Sequence, residues 1–294
     1  MMPAPIDVVI ITRERRDDVV KVVRTVLADL GPEDTIHVLE NGCPAHSTEG
    51  LEELFPKVHW HREEENLGVA GGRNRLIELT DNRLIAFVDD DATVEAGTLT
   101  RVRAAFASDE RLGAVAFRID DPATGEPRSH EYPFKGTADI DRERPATYFV
   151  GAGFALRRTA IDDVGTFDGR LFYALEELDF SYALVGSGWG VRYVPEARVV
   201  HFASPAGRPS GQKVYFMVRN RIVVARKWLP LRFYLSQVVM WGGLWMLRAV
   251  RSRQLRHFWR GLRDGRRMAR ESKRTVLSRE AVAYLKQHNG RLWY

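Results

Sequence analysis

Cysteine is nearly absent. The 294-residue chain holds one, Cys43, so no intramolecular disulfide can staple it and its stability must come from a hydrophobic core. A membrane-spanning run is also missing, because the uncharged stretch Phe233–Leu247 falls short of the ~18–20 apolar residues a crossing helix needs. The opening MMPAPIDVVII lacks the basic segment and long apolar segment of an export signal. With the lone cysteine, this predicts a reducing, cytoplasmic setting. Internal repeats and low-complexity tracts are lacking too. Acidic residues are scarce in one region only: between Lys213 and Arg274, seventeen Lys or Arg face two acids, Asp264 and Glu271. That segment carries +15 in a chain whose total is +5, which leaves −10 on the remainder. The imbalance predicts cation-assisted chemistry in an acidic body and attachment of a basic segment to something anionic.

Apolar residues make up 45% of the chain, enough for the core of one large domain or of a domain with an appendage. Asp7–Thr12 (DVVIIT) reads as a buried strand. Asp17–Leu30 follows with Val19, Val22, Val23, Val26 and Leu27 at helical spacing. Thr35–Leu39 is a second strand ending in Glu40-Asn41-Gly42, Val58–His61 a third, Asn66–Leu79 a helix opened by glycines, and Arg83–Val88 a fourth strand. Further strands are predicted at Gly113–Ile119, Phe149–Leu156 and Val191–His201, and helices at Leu99–Phe106 and Leu178–Leu184. Asp120–Arg144 is a polar excursion of the length that is often functional. Strands alternating with helices predict an α/β protein with an open, mostly parallel sheet. The composition shift divides a body, 1–205, from a basic helical region, 206–294.

The feature richest in chemistry is Leu84–Asp91, LIAFVDDD, an apolar run ending in three carboxylates. The C-terminal end of a buried parallel strand is where α/β folds place ligands. Alternation in extended chain puts Asp89 and Asp91 on one face and Asp90 elsewhere, unless the backbone turns there. Paired carboxylates suit a hard cation, Mg²⁺ or Mn²⁺, that leaves coordination positions for a diphosphate. The bland alternative is a solvated acidic turn. Asn66-Leu67-Gly68-Val69-Ala70-Gly71-Gly72-Arg73-Asn74 is a glycine-rich turn whose N–H groups can approach a nucleotide or phosphate. Phe167-Asp168, Phe172 and Glu176-Glu177-Leu178-Asp179 form an aromatic and acidic stretch, and Val199-Val200 ends a strand in His201. His59 and His61 share a strand face, yet no neighbouring Cys or third His completes a zinc site, and a partly exposed strand is the simpler reading.

In this order the motifs resemble a family 2 glycosyltransferase of the GT-A fold. The likeness covers roughly Ile6–His201 and extends loosely to YFMVRNR at Tyr215–Arg221, which is similar to a segment in rhamnosyltransferase-like members. It implies an inverting, metal-dependent transfer from a nucleoside-diphosphate sugar, of the dTDP-rhamnose or UDP-hexose class, to a glycan or lipid-linked acceptor. The implied metal ligands are Asp91 and His201, with Mg²⁺ or Mn²⁺ as cofactor. The implied donor site is Thr12, Arg13, Glu40, Asn66, Gly68, Arg73, Asn74, Asp89 and Asp90. Glu177 occupies the position of the catalytic base, with Glu176 as alternative, and Gly151, Gly153 and Asp179 lie on the acceptor side. Glu177 and Glu40 are each one methylene longer than the family's usual aspartate, and Leu76 stands where a glycine is common.

Two other functions fit part of the pattern: a nucleotidyltransferase on sugar phosphates, for which Arg13, Arg15 and Arg16 supply only part of a triphosphate grip, and a non-enzymatic sugar-nucleotide-binding protein docked at a membrane. In the basic region, Leu255, Phe258, Trp259 and Leu262 recur at helical spacing among arginines. This predicts an interfacial segment on an anionic membrane at the inner face of the cell, against the alternative of packing on the acidic body or on another copy. The interleaved Leu, Met and Trp argue for lipid over nucleic acid.

Overall fold

The computed structural model describes residues 4–43, 47–128, 131–134, 139–202 and 210–293. Strand β1 (Ile6–Thr12) is buried everywhere but Ile11, as a strand covered on both faces requires. Helix α1 (Arg16–Asp29) then turns Val19, Val22, Val23 and Val26 onto the sheet. The chain continues through β2 (Thr35–Asn41), α2 (Leu51–Leu54), β3 (Val58–Glu63), α3 (Gly68–Glu78), β4 (Leu84–Asp89), β5 (Ala92–Val94), α4 (Thr98–Ser108) and β6 (Leu112–Asp120). Next come β7 (Arg144–Ala146), β8 (Gly153–Arg157), α5 (Arg158–Val164), a 3-10 turn at Gly169–Leu171, α6 (Glu176–Gly186) and β9 (Gly190–His201). Four helices close the chain: α7 (Ser210–Trp228), α8 (Leu231–Arg251), α9 (Leu255–Glu271) and α10 (Arg279–Gln287).

The strands form one sheet in the order β3-β2-β1-β4-β8-β6-β9-β5, with β7 added alongside β9. β3, β2, β1 and β4 are mutually parallel, while β8 runs antiparallel between β4 and β6. The ends of β1, β2 and β4 therefore open together on one rim of the sheet, where a doubly wound fold binds ligands. Short β5 turns back from that rim and pairs with the end of β9, setting Ala92 opposite His201. The amide of Phe202 also bonds to the carbonyl of Asp91, at 2.8 Å. That pairing brings two chain positions 110 residues apart into one site.

Alternation along the strands feeds two cores. Ile6, Val8 and Ile10 pack with α1 and α4 on one face, whereas Val9, Leu39 and Phe87 belong to the core on the other. The second core runs without a break into the C-terminal helices, taking in Val218, Val223, Phe233, Trp245, Phe258 and Leu285. The division at 205/206 is thus one of composition and charge, and it falls among residues outside those described. Packing joins the two parts.

Several sequence expectations shift here. β8 begins at Gly153 rather than Phe149, and the short elements β5, β7, α2 and α5, together with α10, were not legible. Three-residue strands offer too few alternations to register as a pattern. The apolar face of α9 also differs from expectation: Phe258 is buried and Leu262 packs on the core, leaving only Leu255 and Trp259 exposed. Gly261 and Gly265 let α9 lie directly on α7, since a Cβ on either would meet the carbonyl oxygen of Tyr215 or Arg219 at 2.7 and 2.8 Å. Among the described residues, no helix is long and apolar enough to cross a membrane.

Candidate active site

The rim formed by β1, β2 and β4 opens into a cleft of about 960 Å³ lined by Thr12, Arg13, Asn66, Asp89, Asp91 and His201, with further residues from α7 and α9. At its floor the ligand atoms of Asp89, Asp91 and His201 lie within 4.8 Å of one another. Asp90 also borders the cleft, accepting from the Thr12 hydroxyl and the Arg15 guanidinium, each at 2.8 Å. The backbone turns at Asp90-Asp91, between β4 and β5, so these side chains do not follow the alternation of extended chain. Arg15 also pairs with Asp91 at 3.0 Å. Enclosure by the cleft floor, with Asp91 and Asp90 adding to it, raises Asp89 above the usual carboxylate range against the pull of Arg73, an effect tempered by the 40% of its side chain that is open to solvent. Burial likewise pushes Asp90 up to about 6 despite Arg15.

His201 completes the floor. Its Nε2 lies 3.2 Å from Asp91 and its Nδ1 2.9 Å from Glu131. Burial works against its charged form, but the hydrogen bonds to the two carboxylates win and raise it to about 10. Glu131 sits in the polar excursion and was not among the sequence candidates; no periodicity or motif marks it. A carboxylate behind a histidine fixes the ring orientation, as it does for metal-binding histidines generally. Two carboxylates and an imidazole held around one point, with a cation-sized positive charge favoured there, fit Mn²⁺ or Mg²⁺ by donor chemistry, the nitrogen suiting the former better.

A second acidic group lies behind the floor. Helix α6 begins at Glu176, so both candidate bases stand in its first turn, where the helix dipole favours negative charge. The buried guanidinium of Arg73 donates to Glu177 at 3.2 Å and Glu176 at 3.4 Å, and approaches Asp89 at 3.9 Å. It also stacks over the rings of Phe154 and Phe167, and its Nη2 reaches the carbonyl of Gly151 at 3.4 Å. Glu176 is almost fully buried, and its Oε2 has no hydrogen-bond partner among the described residues. Burial, reinforced by Glu177, pushes its pKa up despite Arg73. Glu177 retains some exposure, 13% against 2% for Glu176. A side chain on Gly151 would displace the Arg73–Glu177 pair, because a Cβ would lie 2.4 Å from Glu177 Oε1 and 2.6 Å from Arg73 Nη2.

The segment delivering α6 is strained. Phe172, Ala174 and Leu175 all have positive φ, at 61°, 67° and 70°, without being glycine. Helix α7 holds them. Asn220, fully buried, donates to the carbonyls of Leu171, Tyr173 and Ala174 at 2.7–2.9 Å, and Arg219 donates to those of Arg170 and Leu171. Arg219 and Asn220 of the RNR are therefore a clasp on the loop before the acids, while Arg221 turns to Gln237 and Trp241 of α8.

Other sequence candidates take different places. Arg73 faces the acids rather than the open cleft. Glu40 is sealed from solvent and accepts from Ser47, Thr48 and Arg62, so it shapes its own loop. Asn74 clasps the backbone of Phe167 through both N–H and C=O. Asp179 turns away from the cleft to Lys227 and Trp228 of α7, at 2.8 and 2.7 Å. Gly153 packs against Phe117 and Val199 inside the sheet. The glycine-rich turn keeps its amides for the protein: those of Leu67, Gly68 and Val69 go to Asn41, Asn66 and Phe172. Gly68 (φ 73°) is required by Phe172, whose carbonyl oxygen would stand 2.4 Å from a Cβ. A third histidine does join His59 and His61: β2 stacks His37 on both. Its two nitrogens are already engaged by His61 and Thr35, and among the described residues only the Asp89–Asp91–His201 group converges as metal ligands do.

A nine-stranded mixed sheet with an Asp-Asp-His floor at its parallel rim defines a GT-A-type protein. The sequence model of "Glycosyl transferase family 2" matches residues 7–165, and the chain belongs to that family. A "Pre-mycofactocin glycosyltransferase" of Mycobacterium tuberculosis is 31% identical over 142 residues, 46% of this chain and 30% of that protein. From the same organism, an "N-acetylglucosaminyl-diphospho-decaprenol L-rhamnosyltransferase" is 41% identical over 59 residues, 20% of this chain and 19% of that one. The chain thus spans well under half the length of these two curated relatives. Among solved structures, that of "GalNAc-T7 with UDP, GalNAc and Mn2+" superposes with a TM-score of 0.67 at 18% identity, over 80% of this chain and 49% of that one. At that identity the likeness is one of fold.

Proposed function

We propose that the protein transfers a sugar, with inversion, from a nucleoside diphosphate to a hydroxyl of a glycan or lipid-linked acceptor. One observation carries the reading: a single buried guanidinium, Arg73, ties Glu177 and Glu176 to the same floor that holds Asp89, Asp91 and His201. A base and a diphosphate site are thereby fixed relative to each other, as a displacement at an anomeric carbon between them requires. Glu177 is the base. Its carboxylate accepts the acceptor hydroxyl's proton, and its partial exposure lets that hydroxyl reach it, whereas Glu176 is sealed and held toward its neutral form. Asp89, Asp91 and His201 hold Mg²⁺ or Mn²⁺, which when bound offsets charge developing on the leaving diphosphate. Thr12 and Arg15 keep Asp90 and Asp91 in place, and Arg13 borders the nucleotide side of the cleft. The donor is a dTDP-rhamnose or UDP-hexose type of nucleotide sugar; the rhamnosyltransferase relative supports the first.

The test is release of nucleoside diphosphate from a panel of nucleotide sugars with Mn²⁺ or Mg²⁺ and an acceptor. Glu177→Gln is expected to lower kcat by ~10²–10⁴ with little change in donor KM. Asp91→Asn is expected to abolish the metal-dependent rate while leaving the unfolding midpoint within a few degrees of wild type. Wild-type turnover in chelator by Asp91→Asn would sink the metal assignment, and a crippled Glu176→Gln beside a normal Glu177→Gln would exchange the two acids' roles.

A further inference from the structure

Among the described residues, nothing covers an apolar stripe along α8. Leu231, Leu235, Val239, Leu244, Leu247 and Val250 follow one another at steps of three to five residues, and they range from 38% exposed at Leu244 to 69% at Val239. At 1.5 Å per residue the stripe runs ~28 Å. The stripe winds by about 120° around the helix between its two halves, and the buried side winds with it: Phe233 and Gln237 lie opposite Leu231, Leu235 and Val239, and Trp245 and Ala249 opposite Leu244, Leu247 and Val250. A contiguous apolar stripe of this length on a soluble surface marks an interaction site.

Charge selects the occupant. Helix α8 contains no acid, its charged residues being Arg232, Arg248 and Arg251, and exposed Arg253 and Arg256 follow directly. At the other end, a groove of about 830 Å³ continues from Leu231 and Leu235 to Val282 and is bordered by Arg232, Arg279 and Lys286. Both ends of the stripe are therefore cationic. A second copy docked on it in either direction would set arginine against arginine, a repulsive pairing. An anionic lipid surface instead accepts leucine and valine side chains below the headgroups and arginines at the phosphates.

We propose that α8 lies in the interface of an anionic bilayer, stripe downward, and docks the protein there without crossing the membrane. The following helix α9 adds exposed Leu255 and Trp259, and its His257 and Arg260 border the cleft. This inference rests on the surface alone and stands whether or not the proposed transfer is correct.

The experiment is flotation of the full chain with vesicles of phosphatidylcholine, with and without 30 mole-percent phosphatidylglycerol (roughly a bacterial-like anionic fraction), at low salt and at about 0.5 M salt, where charge attraction is screened. Binding is expected to the anionic vesicles only, and to weaken at least tenfold at high salt. Arg251→Glu/Arg253→Glu/Arg256→Glu, and separately Val239→Asp/Leu247→Asp, are each expected to weaken it at least tenfold. All five positions are exposed, so circular dichroism should report an unchanged fold. Equal binding to both vesicle types, or none to either, overturns the proposal. So does a dimer by light scattering that Val239→Asp/Leu247→Asp converts to monomer.

Discussion

Arg73 is the residue on which the site turns. It lies within 4 Å of three carboxylates, and with its side chain 3% exposed it has no solvent to replace them. Removing one partner of a buried ionic group leaves the others uncompensated, at a cost of ~3–5 kcal/mol. Arg73→Met is expected to lose stability on that scale in denaturant titration and to lose turnover with it. Arg73→Lys, which keeps the charge but not the fork that spans Glu176, Glu177 and Gly151, should recover stability more than turnover. The sequence placed this arginine in the right motif with the wrong neighbours, because a nine-residue glycine-rich string says nothing about which way a helical side chain points. Glu40 and Asn74 likewise spend their bonds within the protein, Glu40 on Ser47, Thr48 and Arg62 and Asn74 on the backbone of Phe167. Asp89 and His201 were legible because strand ends fix direction where loops do not, and Asp91 reaches the same floor through the turn that follows β4.

At the scale of elements, the clasp of α7 on the 171–175 loop is testable. Three non-glycine residues in left-handed conformation persist only if their surroundings over-determine them. Asn220 supplies three hydrogen bonds to that loop from a position sealed from water. Asn220→Ala removes this donor from the carbonyls of Tyr173 and Ala174, while Leu171 keeps Arg219, and is expected to cost ~1–3 kcal/mol. Because the loop sets where α6 starts, kcat should fall at least tenfold while donor KM, set at the Asp89 side, stays near wild type. Equal change in both would reduce Asn220 to a purely structural residue. The β2–β3 edge makes a separate prediction about pH. Burial lowers His37 to about 4 against the pull of Asp7, with His59 and His61 adding to the depression. Between the ordinary value of 6.5 and about 4, the unfolded chain binds a proton that the folded chain refuses. Stability therefore falls as pH drops through that window and stops falling from this source below it. Denaturant midpoints of His37→Gln should lose less than wild type between pH 7 and 4; identical pH dependence would remove His37 from the account. The sequence showed His59 and His61 on one face. It could not show His37, which joins them only through strand register.

For the whole molecule, charge and packing draw different boundaries. The acidic body and the basic tail were plain from composition, and the sheet from its strand periodicity, but a shared core leaves no mark in local pattern because it depends on which apolar face meets which. Here α6 lies between sheet and tail: Leu178, Phe180, Tyr182 and Leu184 belong to the same core as Val218, Val223 and Trp228, and Asp179 is held by Lys227 and Trp228. The Tyr182 hydroxyl bonds at 2.6 Å to the carbonyl of Arg291, near the chain's last described residue. A chain cut after residue 202 would bare this face, strip Asp179 of Lys227 and Trp228, and free the loop before Glu176. It is expected to aggregate or to keep secondary structure without fixed packing, binding a hydrophobic dye and giving no sharp thermal transition. A soluble 1–202 fragment that unfolds cooperatively and binds nucleoside diphosphate as the full chain does would show that the body stands alone. The tail's contribution would then be confined to the surface it presents.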